Sequence, residues 1–84
     1  MHYVYVLRSE KTGHCYIGQA KDLKNRFYSH NSGKNIATKA GQPWELVYYE
    51  AFSTRQLAVD RERKLKNHGK GFAELKRRIG LVDR

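Results

Sequence analysis

The residues that could do chemistry begin with an arginine and a histidine on one face of a predicted helix. Four residues are spaced at i, i+3, i+4 and i+7 and therefore share that face: Leu23, Arg26, Phe27 and His30. A charged or titratable side chain beside an apolar stripe needs a partner. The preceding strand carries Tyr16, so a phenol, a guanidinium and an imidazole are expected to face one another. This combination favours a site for an anion.

The charge of the whole chain also favours an anionic partner. The 84 residues include 17 Lys and Arg but only 8 Asp and Glu, giving a formal net charge of +9. A small domain with such an excess of basic residues typically binds a polyanion, so we expect nucleic acid as the partner. The alternative is a basic structural protein of a ribonucleoprotein, which would carry no anion-binding cleft.

The composition argues against several other classes of protein. No apolar run is long enough for a membrane span, and the chain starts directly with strand-like sequence rather than a secretory signal. The single cysteine, Cys15, cannot form an internal disulfide, and no cysteine–histidine cluster has the spacing of a zinc site. We therefore expect a cytoplasmic location and no membrane partner.

The elements that must position these residues are three strands and three helices. β-Branched and aromatic runs predict strands at Tyr3–Leu7, His14–Gly18 and Trp44–Phe52, the first of them central. Helical patterns follow the second and third strands. The order β-β-α-β-α-α predicts a single α+β domain over residues 1–84, with a small three-stranded antiparallel sheet flanked by three helices.

The first two strands are expected to form a hairpin, because Ser9–Gly13 has turn chemistry. A turn centred near Glu10 and Lys11 would place Tyr5 roughly opposite Tyr16. Both phenols would then project from the same face of the sheet.

The first helix is predicted to run from the N-cap Asp22 to about Asn31, and Gly33 ends it in the left-handed conformation. Residues 33–43 then form the longest irregular stretch. This basic loop is either a binding loop, through Lys34 and Lys39, or a mobile connection.

The second helix starts with a capping-box pattern, Ser53 followed by Gln56, and Gly69 is predicted to stop it after Asn67 or His68. A last helix is predicted over 72–79, before Gly80. The expected packing positions are Leu57, Ala58 and Leu65 in the second helix and Phe72, Leu75 and Ile79 in the last.

Taken together, these motifs resemble the GIY-YIG nuclease superfamily over about residues 3–68. The second motif is matched letter for letter in Tyr16–Gly18, and the first only in its final Tyr5, since Tyr3 and Val4 replace glycine and isoleucine. The other matching positions are Arg26, His30 and Glu62. The resemblance is to small stand-alone members similar to the N-terminal nuclease domain of the excision-repair subunit UvrC. It implies a metal-dependent endonuclease that hydrolyses phosphodiester bonds in nucleic acid, which we expect to be DNA.

The resemblance implies that Glu62 holds one divalent ion, Mg²⁺ or Mn²⁺. A lone carboxylate suits an ion that keeps waters and takes further ligands from phosphate oxygens. Arg26 would clamp the phosphate, because a guanidinium binds phosphate through two parallel hydrogen bonds and stays charged. The alternatives are salt bridges: Glu62 with Arg55, Arg61 or Lys66, and Arg26 with Glu62 or Asp22.

Tyr5 and Tyr16 would handle protons, with Tyr5 preferred as the general base. A phenol has a pKa near ~10 and is a poor base unless cations lower that pKa, which a metal ion, Arg26 and His30 would do. Tyr5 also suits an ordinary core position. His30 would hydrogen-bond a tyrosine, support the phosphate or relay a proton, or else interact with the helix dipole.

The predicted nucleic-acid surface combines a glycine with basic side chains that contact phosphates without reading sequence. Gly18 would let the backbone approach the site, or simply allow a tight strand exit. The basic positions are Lys34, Lys39, Arg61, Lys64 and Lys66. Tyr28, Trp44 and Phe72 are candidates for stacking on bases, with core roles favoured for the last two. The alternative function is a catalytically inactive nucleic-acid-binding module of the same fold.

Overall fold

A computed structural model describes residues 1–67 and 69–81, and this part of the chain forms one antiparallel sheet and three α-helices. The strands are β1 (His2–Ser9), β2 (Cys15–Ala20) and β3 (Trp44–Phe52). The helices are α1 (Leu23–Asn31), α2 (Arg55–Asn67) and α3 (Gly69–Arg78), and a short 3₁₀ turn spans Lys39–Gly41. The predicted α+β class and element order are confirmed. Within the described residues, no helix combines the length and apolar character that crossing a membrane requires.

The sheet has the strand order β2-β1-β3, so β1 is central as predicted. Four consecutive β1 residues, Val4 to Leu7, are almost completely buried, because both faces of the central strand are covered. Side chains alternate along the strand, so Tyr5 and Leu7 pack under α1 whereas Val4 and Val6 pack under α2 and α3. We call these two sides of the sheet the α1 face and the α2 face.

The hairpin register differs from the prediction. Tyr16 pairs with Leu7, and the residue opposite Tyr5 is Gly18, so the prediction that the two tyrosines lie opposite each other is wrong. The hydroxyl of Ser9 accepts hydrogen bonds from the backbone N–H groups of Lys11 and Thr12, at 3.2 and 3.0 Å, and this moves the turn centre one residue along. The residue opposite Tyr5 is therefore two positions further along β2 than predicted. A shift of two residues keeps every side chain on its predicted side of the sheet, so both phenols lie on the α1 face.

The start of α2 also differs from the prediction. The hydroxyl of Thr54 accepts a hydrogen bond from the Leu57 N–H at 3.3 Å, so Thr54 and not Ser53 caps the helix. Leu57 is 49% exposed and was wrongly predicted to pack. The buried stripe passes through Ala58 and Leu65, which are seven residues apart, and Leu57 lies about 100° from it on the helix.

The junction of α2 and α3 follows a different pattern from the predicted one. The second helix ends at Asn67 as predicted, while His68 lies outside the described residues. Gly69 begins α3 instead of stopping α2, because glycine is accepted at helix starts as well as at helix ends. The predicted packing side of α3 is confirmed: Leu75 is 2% exposed, and Phe72 and Ile79 pack against the same cluster.

The first helix has the predicted ends. The carboxylate of Asp22 accepts a hydrogen bond from the Asn25 N–H at 3.0 Å, and Gly33 has a φ of +80° just after the helix. The following loop is anchored to β3, since the indole N–H of Trp44 donates to the Thr38 carbonyl at 2.7 Å. Trp44 itself is buried beside Tyr5 and Leu7, so the loop closes one end of the α1 face.

Candidate active site

A chain of hydrogen bonds runs through the interior of the α1 face. The Tyr5 hydroxyl lies 2.8 Å from Nε2 of His30, and Nδ1 of His30 lies 2.8 Å from Oγ1 of Thr38. Exposure of these three residues is 1%, 0% and 1%, so every bond in the chain is shielded from water. The chain joins β1, α1 and the loop before β3. It places the predicted partner of His30, a tyrosine, in direct contact with the imidazole.

The direction of each hydrogen bond follows from the carbonyl of Asn35, which is the acceptor at the end of the chain. The Thr38 hydroxyl donates to the Asn35 carbonyl at 3.4 Å, so we assign it as the acceptor of the Nδ1–H of His30. The other ring nitrogen, Nε2, then accepts the proton of the Tyr5 hydroxyl. Burial, and secondarily the charge of Arg26, lower the pKa of His30, which agrees with a neutral imidazole in this chain.

The electrostatics of Tyr5 oppose the predicted role of a base. Burial raises the pKa of the Tyr5 phenol above its ordinary value, Tyr16 and Glu62 raise it further, and Arg26 lowers it by less than the sum. Arg26 lowers the pKa of Tyr5, as expected, but by less than burial raises it. Tyr5 remains a protonated donor to His30.

Gly18 is buried beneath the Tyr5 ring on the neighbouring strand. A Cβ atom at this position would lie 2.5 Å from the Tyr5 hydroxyl oxygen and 2.6 Å from Cζ. Any larger residue would therefore displace the phenol from His30. The glycine is itself buried and makes room for the hydrogen-bond chain.

Tyr16 lies next to this chain and is half-buried. Its ring centroid is 4.9 Å from that of His30 and 6.4 Å from that of Tyr5. On its other side, Nζ of Lys66 is 6.0 Å from the ring centroid and 2.8 Å from Oε2 of Glu62. The predicted alternative of a Glu62–Lys66 salt bridge is thus present. The Glu62 side chain is only 20% exposed, so this carboxylate is not an ordinary surface group.

Arg26 is exposed. Within residues 1–67 and 69–81 it forms no ion pair with Glu62 or Asp22, the two predicted alternatives. It lines a polar cleft of about 350 Å³ together with Asn25 and Lys34. We call this the arginine cleft. A guanidinium held there without a carboxylate is available to a phosphate.

The remaining predicted contact residues separate into two groups. Arg61 is held by Glu50, with Nη2 2.9 Å from Oε2, and the same carboxylate accepts the Tyr48 hydroxyl at 2.7 Å. Arg61 therefore fastens α2 to β3. Lys39 and Lys64 are exposed, on the loop and on α2. Among the candidate stacking residues, Trp44 and Phe72 pack in the two clusters, as favoured, and Tyr28 is 65% exposed beside the arginine cleft.

Thr38 is the site residue that the sequence did not reveal. It lies in an irregular loop, where no periodicity marks a buried position, yet it receives the imidazole N–H and fixes the tautomer of His30. Lys21 and Asn25, which line the arginine cleft, were also missed, because isolated polar residues near a helix start resemble ordinary surface positions.

The donor set limits which metal ion the site suits. Among the described residues, no group of three or more His, Cys, Asp and Glu side chains is arranged to hold an ion. Glu62 offers a single carboxylate. A hard ion that keeps most of its waters fits the single carboxylate, provided that it displaces Lys66.

The fold and this arrangement of phenols, imidazole, guanidinium and carboxylate define the class of the protein. The family of GIY-YIG catalytic domains matches residues 1–78, and the chain belongs to that family. Domains of this family are associated with nuclease activity and nucleic-acid binding, and they generally use divalent metals.

The more similar relatives are small proteins of the group named UPF0213. The chain is 41% identical over 66 residues to a UPF0213 protein of Staphylococcus saprophyticus, covering 77% of this chain and 79% of that protein. It is 34% identical over 68 residues to one of Haloquadratum walsbyi, covering 80% and 75%. The solution NMR structure of a UPF0213 protein from Bacillus halodurans superimposes with a TM-score of 0.54 at 31% identity, covering 89% of this chain and 84% of that one.

Proposed function

We propose that this protein is a divalent-metal-dependent endonuclease that hydrolyses phosphodiester bonds in DNA. The observation that carries the proposal is the grouping of side chains around Tyr16. The Tyr5 and Tyr16 ring centroids are 6.4 Å apart, and Lys66, which is paired with Glu62 of α2, lies 6.0 Å from the Tyr16 ring centroid. On α1, His30 contacts both tyrosines, and Arg26 lies one turn before it. A guanidinium, a carboxylate and two phenols from four separated segments are groups that phosphoryl-transfer chemistry uses.

Arg26 is proposed to bind the scissile phosphate and to stabilise the charge that develops on it. Its side chain is exposed in the arginine cleft, and Lys34 lines the same cleft as a second cation. A guanidinium that is already positioned before the substrate binds can stabilise the transition state more than the ground state.

Tyr16 is the better candidate for the general base, in place of Tyr5. The Tyr5 hydroxyl is buried and donates its proton to His30, whereas Tyr16 is partly exposed to solvent. The chain of Tyr5, His30 and Thr38 would then hold the Tyr16 ring, with which His30 is in contact. In this scheme Tyr5 and His30 position the base rather than act as bases themselves.

Glu62 is proposed to hold one Mg²⁺ or Mn²⁺ ion. When bound, such an ion supplies Lewis-acid activation of the phosphate and of a water molecule. Since the ion would compete with Lys66 for the carboxylate, we expect weak affinity until a phosphate adds further oxygen ligands.

The second candidate is a nucleic-acid-binding module without turnover. The Glu62–Lys66 ion pair favours it, since the pair opposes metal binding at this carboxylate. The charge of +9 predicts strongly salt-dependent binding under either function, so only cleavage separates them.

The test is incubation with supercoiled plasmid, branched DNA and RNA, with Mg²⁺ or Mn²⁺ and in parallel with EDTA. We expect metal-dependent nicking of DNA that Glu62→Gln abolishes and that Glu74→Gln, an exposed change on α3, leaves intact. Binding without cleavage on every substrate would favour the inactive module. Unchanged nicking by a folded Glu62→Gln variant would reject the metal assignment.

A further inference from the structure

The first helix covers only part of its sheet face, and an apolar groove of about 840 Å³ lies beside it. Leu23, Phe27 and Leu46 line the groove, and all three are half-buried. Tyr3 and Tyr49 line it with an edge-to-face pair of rings whose centroids are 5.9 Å apart. Tyr49 is 54% exposed, so part of this side chain is available to a ligand. We call this the aromatic groove.

Two exposed lysines, Lys21 and Lys24, stand at the rim of the aromatic groove. Asp22 also lines it, but its carboxylate accepts a hydrogen bond from the backbone of Asn25 and caps α1. Two lysines against one carboxylate leave the rim with a net positive charge around an apolar interior. This pattern fits a flat aromatic ligand that carries a negative charge at one end.

The aromatic groove adjoins the arginine cleft. Lys21 and Asp22 line both, so the groove and the cleft meet at the start of α1. A strand with one phosphate at Arg26 can therefore lead its neighbouring nucleotide past Lys21 into the groove.

We propose that the aromatic groove binds one unpaired nucleobase of the nucleic-acid substrate, stacked on Tyr49, with the flanking phosphates at Lys21 and Lys24. The inference rests on the proposed function and deepens it. It names the substrate class as DNA with an unpaired nucleotide next to the cleavage position, as in a flap, a bulge or a single strand. A base held inside a duplex cannot present its face to Tyr49.

Charge distinguishes this occupant from a second copy of the chain. Another molecule with a net charge of +9 would bring like charge against Lys21 and Lys24, whereas a nucleotide brings a phosphate. Stacking of a base on an aromatic side chain is sequence-tolerant, because every base has an aromatic face. The groove therefore selects for an unpaired base, not for a particular base.

The test uses short single-stranded DNA carrying 2-aminopurine at successive positions, in EDTA and at fixed ionic strength. We expect the wild-type protein to quench the fluorescence at one position, and Tyr49→Phe to do the same. Tyr49→Leu should lose that quenching and bind about tenfold more weakly. An abasic site at the same position should remove the difference between the wild type and Tyr49→Leu. Leu57→Ala, which removes an exposed apolar side chain from α2, is the matched control.

The outcomes separate this inference from the proposed function. Equal quenching and affinity for Tyr49→Leu and the wild type would overturn the inference, even if plasmid nicking occurs. Sedimentation showing a dimer that Tyr49→Leu dissociates would assign the groove to a second copy and overturn it as well. Base-dependent quenching without cleavage of any substrate would leave the groove standing and reject the endonuclease.

Discussion

The two faces of the sheet are built from the same three strands but from different chemistry. The buried cluster on the α2 face is wholly apolar: Val4, Val6, Ile17, Ala58, Leu65 and Leu75. The α1 face buries Tyr5 and Trp44, and it also holds the three buried polar residues of the described chain: Ser9, His30 and Thr38. Consecutive residues of β1 therefore serve two purposes, since one side chain stabilises the fold and the next builds the site.

The contrast between the two faces shows that the α1 face holds a hydrogen-bonded polar chain where the α2 face holds a closely packed apolar cluster. Within the described residues, every buried side-chain polar atom has a hydrogen-bond partner, so the polar chain on the α1 face is fully satisfied. The same face leaves the aromatic groove beside α1, whereas α2 and α3 pack together over the other face. Glu62 connects the two regions, because it lies on α2 and pairs with Lys66, whose Nζ lies 6.0 Å from the centroid of the Tyr16 ring on the α1 face.

The largest expected effect is on stability, from a truncation on the α2 face. Leu75→Ala should lower the free energy of unfolding by about 2–5 kcal/mol, because it leaves a cavity in a cluster where Leu75 is 2% exposed. Urea denaturation measures this change, and Leu57→Ala on the exposed side of α2 should alter it by less than about 0.5 kcal/mol. Nicking per folded molecule should be unchanged by Leu75→Ala. A large loss of rate in the folded fraction would show that the two faces are not separable.

The next effect is on rate, from the α1 face. Arg26→Ala should lower the nicking rate about 10²-fold, because it removes a cation positioned for the developing charge. The affinity for DNA should fall much less, since the other basic residues remain. Single-turnover cleavage and binding in EDTA measure the two quantities, with exposed Arg55→Ala as the matched control. An equal fall in both would make Arg26 a binding residue only.

Local signals were sufficient for most of the fold. The bounds of β3 and α1 follow from alternation, from the cap at Asp22 and from the positive φ of Gly33, all of which act within a few residues. The uninterrupted β-branched and aromatic run in β1 predicted a central strand, and this is found. Ser53 and Thr54 both carry a hydroxyl that can cap α2, so the local pattern could not identify Thr54 as the capping residue.

The parts that could not be predicted depend on contacts between distant segments. The register of the hairpin depends on a side-chain bond of Ser9, and the tautomer of His30 depends on Thr38, eight residues away in an irregular loop. Burial of Tyr5, not the nearby cations, dominates its pKa. The aromatic groove arises from incomplete cover by α1, and no sequence pattern encodes that gap.

A smaller effect is the pH dependence of stability that His30 gives to the α1 face. The pKa of His30 is lowered in the folded protein, whereas the unfolded chain takes up a proton near its ordinary pKa of ~6.5. The free energy of unfolding should therefore fall as the pH drops below about 6.5. His30→Gln should lower stability by about 1–3 kcal/mol at pH 7.5, through two buried hydrogen bonds, and by less at pH 5. Urea denaturation at both pH values measures this, with exposed His14→Gln as the control. The same loss at both pH values would show that protonation of His30 does not cause the fall in stability.

The smallest effect concerns Glu62, where the α2 face meets the site. Lys66 acts as a built-in counter-ion, 2.8 Å from the carboxylate, and a divalent ion must displace it. Lys66→Met should therefore raise the affinity for Mn²⁺ about threefold to fivefold without nucleic acid, a factor in keeping with a partly exposed ion pair. Electron paramagnetic resonance titration of free Mn²⁺ measures the change, with exposed Lys64→Met as the matched control. Since both variants remove one positive charge, an equal rise in both would mean that affinity follows net charge rather than this pair. No rise in either would mean that the ion does not bind at Glu62.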